Sequence, residues 1–474
     1  MAEEHASPNP LDSFVESLSH GIDSVLSPTG SFKLWWMLSL RDWVDTLGTW
    51  GISRGSFVIG LYVPLFIAAN ILLPAYGRLL FGWILLALPI LGPTAIATSL
   101  WASWIWYAQS YYAFKKTDPV LLEVKIPTEV TKSPRAMEQV LTSLWIRMSE
   151  TTFIDRNYSG GSRPAFSLEL ASFGGQVHCF IWSKRMLEDA VDSSMYAQYP
   201  EVEIVEVEDY AKKFRYDPKK HTCFVTEYRF EPPKDVVARH AENAYPIRTY
   251  VDFELDQDPK EEFKVEPFAQ VIEALSAIAP EEQAWIQVII RGHFKADWQK
   301  AIEKEVEYIR EKSTKLEHPS EADAGFPRPT WRQTEQMRSM ERNLGKLPFE
   351  WAARGIYIAP AAMFSGATHS AIRWIYRPFS NPQYMNQLRP RGGHNPFDFS
   401  WQDWHGFRWR LLTRRYIDGY RRRCAFKRPY ILPYYKTSVE VIATIWHPPS
   451  STVKSPGLQR ISSKKSEPPP NLPM

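Results

Sequence analysis

The stretch FSLELASFGGQVHCFIW, residues 166–182, decides the fold of the soluble part of the chain. Phe166 to Ser172 and Gln176 to Trp182 read as two strands, and Gly174-Gly175 between them suits a tight hairpin turn. Upstream, Ser133-Pro134 opens a helix, with serine as N-cap and proline at the first helical position, and Ala136, Val140, Leu141 and Leu144 continue it. Before that helix, VLLEVKI (Val120 to Ile126) is a short strand. Downstream, a helix runs from Lys184 to about Ala197. Val202, Ile204, Val205 and Val207 then form a strand. The interleaved Glu201, Glu203, Glu206 and Glu208 mark its wet face or edge. The order β-α-β-β-α-β is the split βαβ of ferredoxin-like folds, expected over residues 118–215.

A similar order recurs over 216–449. Arg248 to Leu255 reads as a strand, Glu266 to Ile278 as a helix and AWIQVIIR (Ala284 to Arg291) as a strongly β run. Charged helical sequence follows, ADWQKAIEKEVEYIREK (Ala296 to Lys312). After Pro327 and Pro329 comes a second such stretch, Trp331 to Leu344. These read as a solvated helical pair inserted at about 296–344. The unit resumes with a strand at Gly355 to Ala359 and a helix at Ala362 to Tyr376, and its last strand has no clear place. Thr437-Ser438-Val439-Glu440 is a capping-box pattern before VIATIW, and that helix ends at His447-Pro448-Pro449. Residues 450–474, rich in Ser, Pro and Lys, read as a disordered tail.

The first quarter of the chain has another character. SFVIGLYVPLFIAANILL (Ser56 to Leu73) carries no charge, and neither does the run from Leu79 to Phe114. Pro74-Ala75-Tyr76-Gly77-Arg78 separates them. Each run is long enough to cross a hydrocarbon core, so residues 55–114 read as a two-helix transmembrane hairpin. Pro89, Gly92 and Pro93 should kink the second run. Trp101, Trp104, Trp106 and Tyr107, with Tyr111 and Tyr112, read as an interfacial aromatic belt, with Lys115 and Lys116 just beyond. Lys33, Arg41 and Arg54 precede the first run, and only Arg78 lies between the two. The positive-inside rule then gives a multi-pass protein of the cell membrane with both termini cytoplasmic. Within FKLWWMLSLRDWVDTLGTW, Trp36, Leu40, Trp43 and Leu47 share a helix face. Residues 31–54 read as an amphipathic interfacial helix, the alternative being a helix packed on the soluble domain. Residues 1–30 are polar, read as disordered, and lack the basic start and short apolar core of a secretory signal.

The expected class is therefore α+β: an N-terminal two-helix transmembrane hairpin followed by two ferredoxin-like units with a helical insertion. Across 474 residues, 56 basic side chains face 53 acidic ones, so there is no chain-wide electrostatic footprint for nucleic acid. Cys179, Cys223 and Cys424 are far apart, which argues against a disulfide framework or a structural zinc site. No phosphate-binding G-x-x-x-x-G-K-[ST] occurs, and Gly345-Lys346 is followed by Leu347. G-x-S-x-G, H-E-x-x-H and H-x-E…C-x-x-C are absent too. No catalytic, metal or cofactor residue is expected. His178 reads as a packed or edge histidine. His394 and His405, near Asp398, Asp403 and Arg391, keep open the alternative of a membrane-bound enzyme with an unfamiliar site.

One local charge signal stands out, FRWRLLTRRYIDGYRRRCAFKRP. Arg408, Arg410, Arg414, Arg415, Arg421, Arg422, Arg423, Lys427 and Arg428 face a lone Asp418, with Trp409, Tyr416, Tyr420 and Phe426 interleaved. Three readings are open: contact with a nucleic-acid backbone, contact with anionic lipid headgroups, or a basic helix face paired with acidic surface such as Glu203 and Glu206.

Three segments together resemble a known family. They are DPVLLEVKIPTEVTKSPRAMEQVL, FSLELASFGGQVHCFIWSKRMLEDAVDSSMYAQYPEVEIVEVEDY and KTSVEVIATIWHPPSSTVKSPGLQRISSKKSEPPPNLP. They are similar to the N-terminal membrane-anchored region of TraG-like, type IV coupling-protein-like ATPases of candidate-phyla bacteria (Patescibacteria). The resemblance spans residues 55 to 473, and SPRAMEQ and AQYPEVEI are its most specific blocks. In such relatives a P-loop ATPase of the HerA/FtsK type follows. Here the chain stops at Met474, so no nucleotide-binding residue carries over, and the expectation is a split protein or a gene fragment. The resemblance implies a non-catalytic, membrane-anchored component of a type IV secretion or conjugation-like system. Its partners would be the lipid bilayer, a separate TraG/HerA/FtsK-type ATPase and further copies of itself in a ring, with DNA as an additional partner. The alternative is a membrane-bound adaptor for DNA or anionic lipid.

Overall fold

The computed structural model describes residues 54–111, 118–130, 132–148, 152–237, 241–256, 266–314, 329–391 and 401–461. The expected N-terminal tail, nearly all of the amphipathic helix, Lys115, Lys116, His394, Asp398 and the tail beyond Ile461 lie outside these residues. The chain divides into two compact units, Met1–Thr94 with Phe397–His405, and Ala95–Pro396 with Gly406–Met474.

Two apolar helices come first, α1 (Arg54–Leu72) and α2 (Pro74–Tyr111). Only Leu85–Tyr111 of α2 is long and apolar enough to cross a membrane among the described residues. Its 27 residues rise about 40 Å, enough for a hydrocarbon core and one interface. In α1 the apolar stretch among the described residues is Val63–Leu72, which rises about 15 Å. This corrects the multi-pass expectation. Among the described residues one helix, not two, is long enough to cross, and a single crossing would put the segments before and after it on opposite faces, against a hairpin with both termini cytoplasmic. Within α2, the hydroxyls of Thr94, Thr98, Ser99 and Ser103 all donate to carbonyls one turn back. Such self-satisfaction is what an apolar environment requires of polar groups.

The rest is α+β. In chain order it comprises β1 (Pro119–Pro127), α3 (Pro134–Ser143), α4 (Phe153–Asn157), β2 (Phe166–Phe173), β3 (Gln176–Lys184), α5 (Glu188–Gln198) and β4 (Glu203–Glu206). Next come α6 (Tyr210–Lys213), β5 (His221–Glu231), α7 (Lys234–Val237), α8 (Phe268–Ser276), β6 (Gln283–Gly292), α9 (Asp297–Thr314) and α10 (Trp331–Leu344). Last are β7 (Pro348–Pro360), α11 (Gly366–Arg373), β8 (Gln387–Arg391), α12 (Phe407–Arg421), β9 (Tyr435–Ser438), α13 (Val439–Ile445) and β10 (Arg460–Ile461). All ten strands among the described residues join one sheet, ordered β10-β1-β3-β2-β6-β7-β5-β8, with β4 also beside β1 and β9 beside β7.

The sheet has two similar halves. In the first, β4, β1, β3 and β2 lie side by side, each antiparallel to its neighbour. In the second, β6, β7, β5 and β8 do the same. The inner strands β2 and β6 zip the halves together from Phe166↔Ile290 to Phe173↔Gln283. The β2–β3 turn is as expected, with Gly174 at φ +59° and Gly175 at φ +86°. The helical pair α9–α10 is inserted between β6 and β7, also as expected.

The second half differs from expectation at both ends. Its first strand is β5, not Arg248 to Leu255. There the Asp252 carboxylate accepts from the Thr249 N–H at 2.8 Å and its hydroxyl at 3.2 Å, tying the segment into turns. The last strand is β8, QLRPR, which lines an edge. The stretch 450–461, expected within the disordered tail, is folded. Val453 and Leu458 are buried, and β10 runs parallel to β1 through Ile126↔Arg460 and Pro127↔Ile461. The capping box before α13 does not form. Glu440 is buried instead and takes hydrogen bonds from the Thr249 hydroxyl (2.5 Å) and Arg342 Nε (3.2 Å), beside Lys346 Nζ at 2.8 Å.

One sheet face carries the main core. Val120, Leu122, Leu168, Leu170, Ile286, Val288, Trp351 and Ala353 alternate inward there, under α3, α5, α8, α11 and α13. The other face holds Leu121, Ala171, Phe180, Trp285 and Ile356, with Tyr210 of α6 and Ile417 and Tyr420 of α12 packed over it.

Candidate functional site

The second face is not uniformly apolar. Strand register places Glu123, Phe180, Glu169, Gln287, Arg354, Glu227 and Arg391 in one row across seven strands. Residues directly opposite share a face, so this row is polar except at Phe180. The basic run lies over it.

Arg423 does not reach solvent. Its Nε lies 2.9 Å from Glu169 Oε1, its Nη2 3.1 Å from Oε2, and the Nη2 also donates to Asp209 Oδ1 at 3.0 Å. Glu169 further accepts from the Ser167 hydroxyl (2.7 Å), Gln287 Nε2 (2.7 Å) and the Tyr210 hydroxyl (2.7 Å). Arg354 donates to Gln287 Oε1 at 2.7 Å and to the carbonyls of Gly419 (2.6 Å) and Cys424 (3.2 Å), clamping the end of α12. Burial brings the Arg354 guanidinium down to about 10. Burial also disfavours charge on Arg423, but the carboxylates of Glu169 and Asp209 outweigh it and push its pKa well up. Burial pushes the hydroxyls of Tyr210 and Tyr420 far above their ordinary value. Every part of this network has partners, as a buried ionic cluster needs.

The nine basic residues therefore separate. Arg423 is core. Arg421 donates to the carbonyls of Ala211 (Nε, 2.9 Å) and Phe214. Arg422 pairs with Asp418 one turn earlier at 2.9 Å. Lys427 is half-buried, and burial lowers its pKa. Arg410 is half-buried too. Arg408, Arg414, Arg415 and Arg428 are exposed, with Arg415 over the Tyr430 ring at 5.4 Å. The acidic partners are not Glu203 and Glu206, which pair with Lys125 (3.1 Å) and Arg185 (2.7 Å).

Trp101, Trp104, Trp106 and Tyr107 are all exposed on α2. His178 is a half-buried pairing residue, with Nδ1 2.6 Å from Glu123 Oε1, and that hydrogen bond lowers the Glu123 pKa. Among the described residues, no group of three or more His, Cys, Asp or Glu side chains is placed to hold a metal ion.

Sequence reasoning missed a second polar row on the same face, Arg291↔Glu350↔Lys436. Arg291 Nε meets Glu350 Oε2 at 2.6 Å and His293 Nδ1 meets Oε1 at 2.8 Å. His293 Nε2 and Lys436 Nζ both reach Asp297, each at 2.5 Å. Charged residues inside a β run, as at Arg291 and Glu350, were the available signal. A scan against family models finds no match for this chain. Comparison with curated proteins finds none either.

Proposed function

We propose that this chain is a non-catalytic platform held in a membrane by one helix, Leu85–Tyr111. The observation that carries the reading is that this helix is apolar, long enough to cross and has an 18-residue apolar window with no residue buried by protein. Large side chains such as Leu86, Ile90 and Leu100 are mostly exposed along it. That amount of apolar surface is unfavourable in water and favourable in lipid. The two halves of the sheet support a reading as tandem ferredoxin-like units. Each follows β-α-β-β-α-β with its fourth strand beside the first and its third between first and second.

The resemblance to the membrane-anchored region of TraG-like, type IV coupling-protein-like ATPases supports the system: secretion or conjugation, with a separate P-loop ATPase docked on a ring of these platforms. Membranes washed in alkaline carbonate test the anchor. The chain stays with the bilayer and leaves only with detergent. Release by carbonate overturns the reading. Affinity capture from detergent-solubilised native membranes tests the partner. A coupling-protein-type ATPase co-purifies, and its absence, from membranes that contain one, removes the platform role.

The exposed Arg408, Arg414, Arg415 and Arg428 favour a second reading, an adaptor for DNA or anionic lipid. Binding of either would fall with salt and with neutralisation of those side chains.

A further inference from the structure

The short helix α4 buries none of its residues. Phe153, Ile154 and Tyr158 are 66%, 65% and 60% exposed. At 100° per residue, positions 153, 154, 157 and 158 fall within an arc of about 140°. The polar side chains at this helix, apart from the exposed Arg156, are engaged locally. Thr152 and Asp155 form a reciprocal capping box, and the Asn157 amide donates to the Phe153 carbonyl at 3.2 Å. One side of α4 is thus apolar and, among the described residues, largely exposed.

Its position identifies what covers it. Trp104 Nε1 donates to the Tyr158 carbonyl at 3.2 Å, and their rings lie 5.4 Å apart. Gly160, at φ +73°, lets the chain press on α2, since a Cβ there would lie 2.3 Å from the Ala108 carbonyl oxygen. On another flank the Arg428 N–H donates to Gln109 Oε1 at 3.1 Å, bringing the loop with the exposed Ile431 to the same stretch of α2. Trp104 to Gln109 is the aromatic end of the proposed membrane helix, the level at which such rings meet headgroups. We infer that α4 is a second membrane contact, its Phe153–Ile154–Tyr158 face seated in the headgroup and acyl boundary that α2 crosses. This rests on the membrane anchorage of α2. The occupant is lipid, because Tyr158 of this face packs against Trp104 of the crossing helix. An interfacial helix gains from such burial without spanning.

The test uses the full chain in vesicles of phosphatidylcholine and phosphatidylglycerol, with a polarity-sensitive fluorophore on one introduced cysteine. The sites are Phe153→Cys, Ile96→Cys within α2 and Glu303→Cys on the exposed side of α9. Lipids brominated on the acyl chain serve as quencher. Labels at 153 and 96 lose most of their emission, and the label at 303 keeps its emission. Quenching at 96 with a water-like spectrum at 153 overturns the inference and leaves the anchor standing. A blue-shifted but unquenched label at 153 means a protein partner or second copy covers α4, which also overturns it. No quenching at either site removes both the anchor and the inference.

Discussion

The Arg423 guanidinium and the Glu169 carboxylate meet in the sheet interior, both fully buried, although 254 residues separate them in the chain. Removing one member leaves a buried charge without its counter-charge, which costs about 3–5 kcal/mol. Arg423→Leu should therefore lower unfolding stability by that order. Arg414→Ala, on the exposed side of α12, should change it by no more than about 0.5 kcal/mol. Denaturant titration of both variants checks the contrast. Equal effects would mean that the network does not pin α12.

Acid should weaken the second polar row. Burial pushes the Glu350 carboxyl up, but the His293 hydrogen bond and the charges of Arg291 and Arg163 outweigh it and hold the pKa at about 2. Asp297, between Lys436 and His293, is likewise held at about 2. Both folded values lie below the ordinary carboxylate range of about 4. Their contribution is present above that range and is lost as pH falls from about 4 towards about 2. Glu350→Gln should be less stable than the parent at neutral pH, with the gap narrowing in acid. A gap constant from neutral to acid pH would contradict this account.

The three thiols should be silent in the native protein. Cys179, Cys223 and Cys424 are all buried, and burial pushes Cys179 and Cys223 up to about 12. Thiolate is the reactive form. Ellman's reagent at neutral pH should titrate no thiol in the folded chain and all three in guanidinium. A rapid native reaction would show that one of them reaches the surface.

The inserted pair α9–α10 should loosen independently of the sheet. Thr330 caps α10 by accepting from the Gln333 N–H at 3.3 Å, while Gln333 Oε1 accepts from the Thr330 N–H at 2.8 Å. Thr330→Ala costs about 1 kcal/mol locally. Amide exchange should quicken in the first turn of α10 and stay unchanged in β6 and β7. Faster exchange throughout β7 would mean that the insertion and the sheet unfold together.

The sequence made the first half of the sheet legible because its signals are local. The glycine pair, the alternation in β2 and β3 and the proline opening α3 all act within a few residues. The second half hid its end strands for physical reasons. β8 carries Pro390 and two arginines at a sheet edge, where burial places little demand on composition. β5 bears Glu227 on a face that is covered only because α12 arrives from nearly two hundred residues downstream. The basic run was visible as charge, but its division into core and surface depends on Glu169 and Asp209, whose positions no local pattern reveals. The uncharged run of α1 suggests a second crossing, whereas among the described residues its apolar stretch is Val63–Leu72.

The return of β10 to β1 sets how the fold carries a load. A pull that separates α2 from Ile461 enters β1 at its first residue and leaves through the last residue of β10. Because the two strands are parallel, such a pull slides them along each other. Thr128 holds the Ile461 carbonyl through both its N–H (3.0 Å) and its hydroxyl (2.9 Å), and Arg460 Nη1 holds the Pro127 carbonyl at 2.9 Å. These bonds take the strain together rather than opening one after another, so the α2 end and residue 461 are joined by a clasp that works in shear.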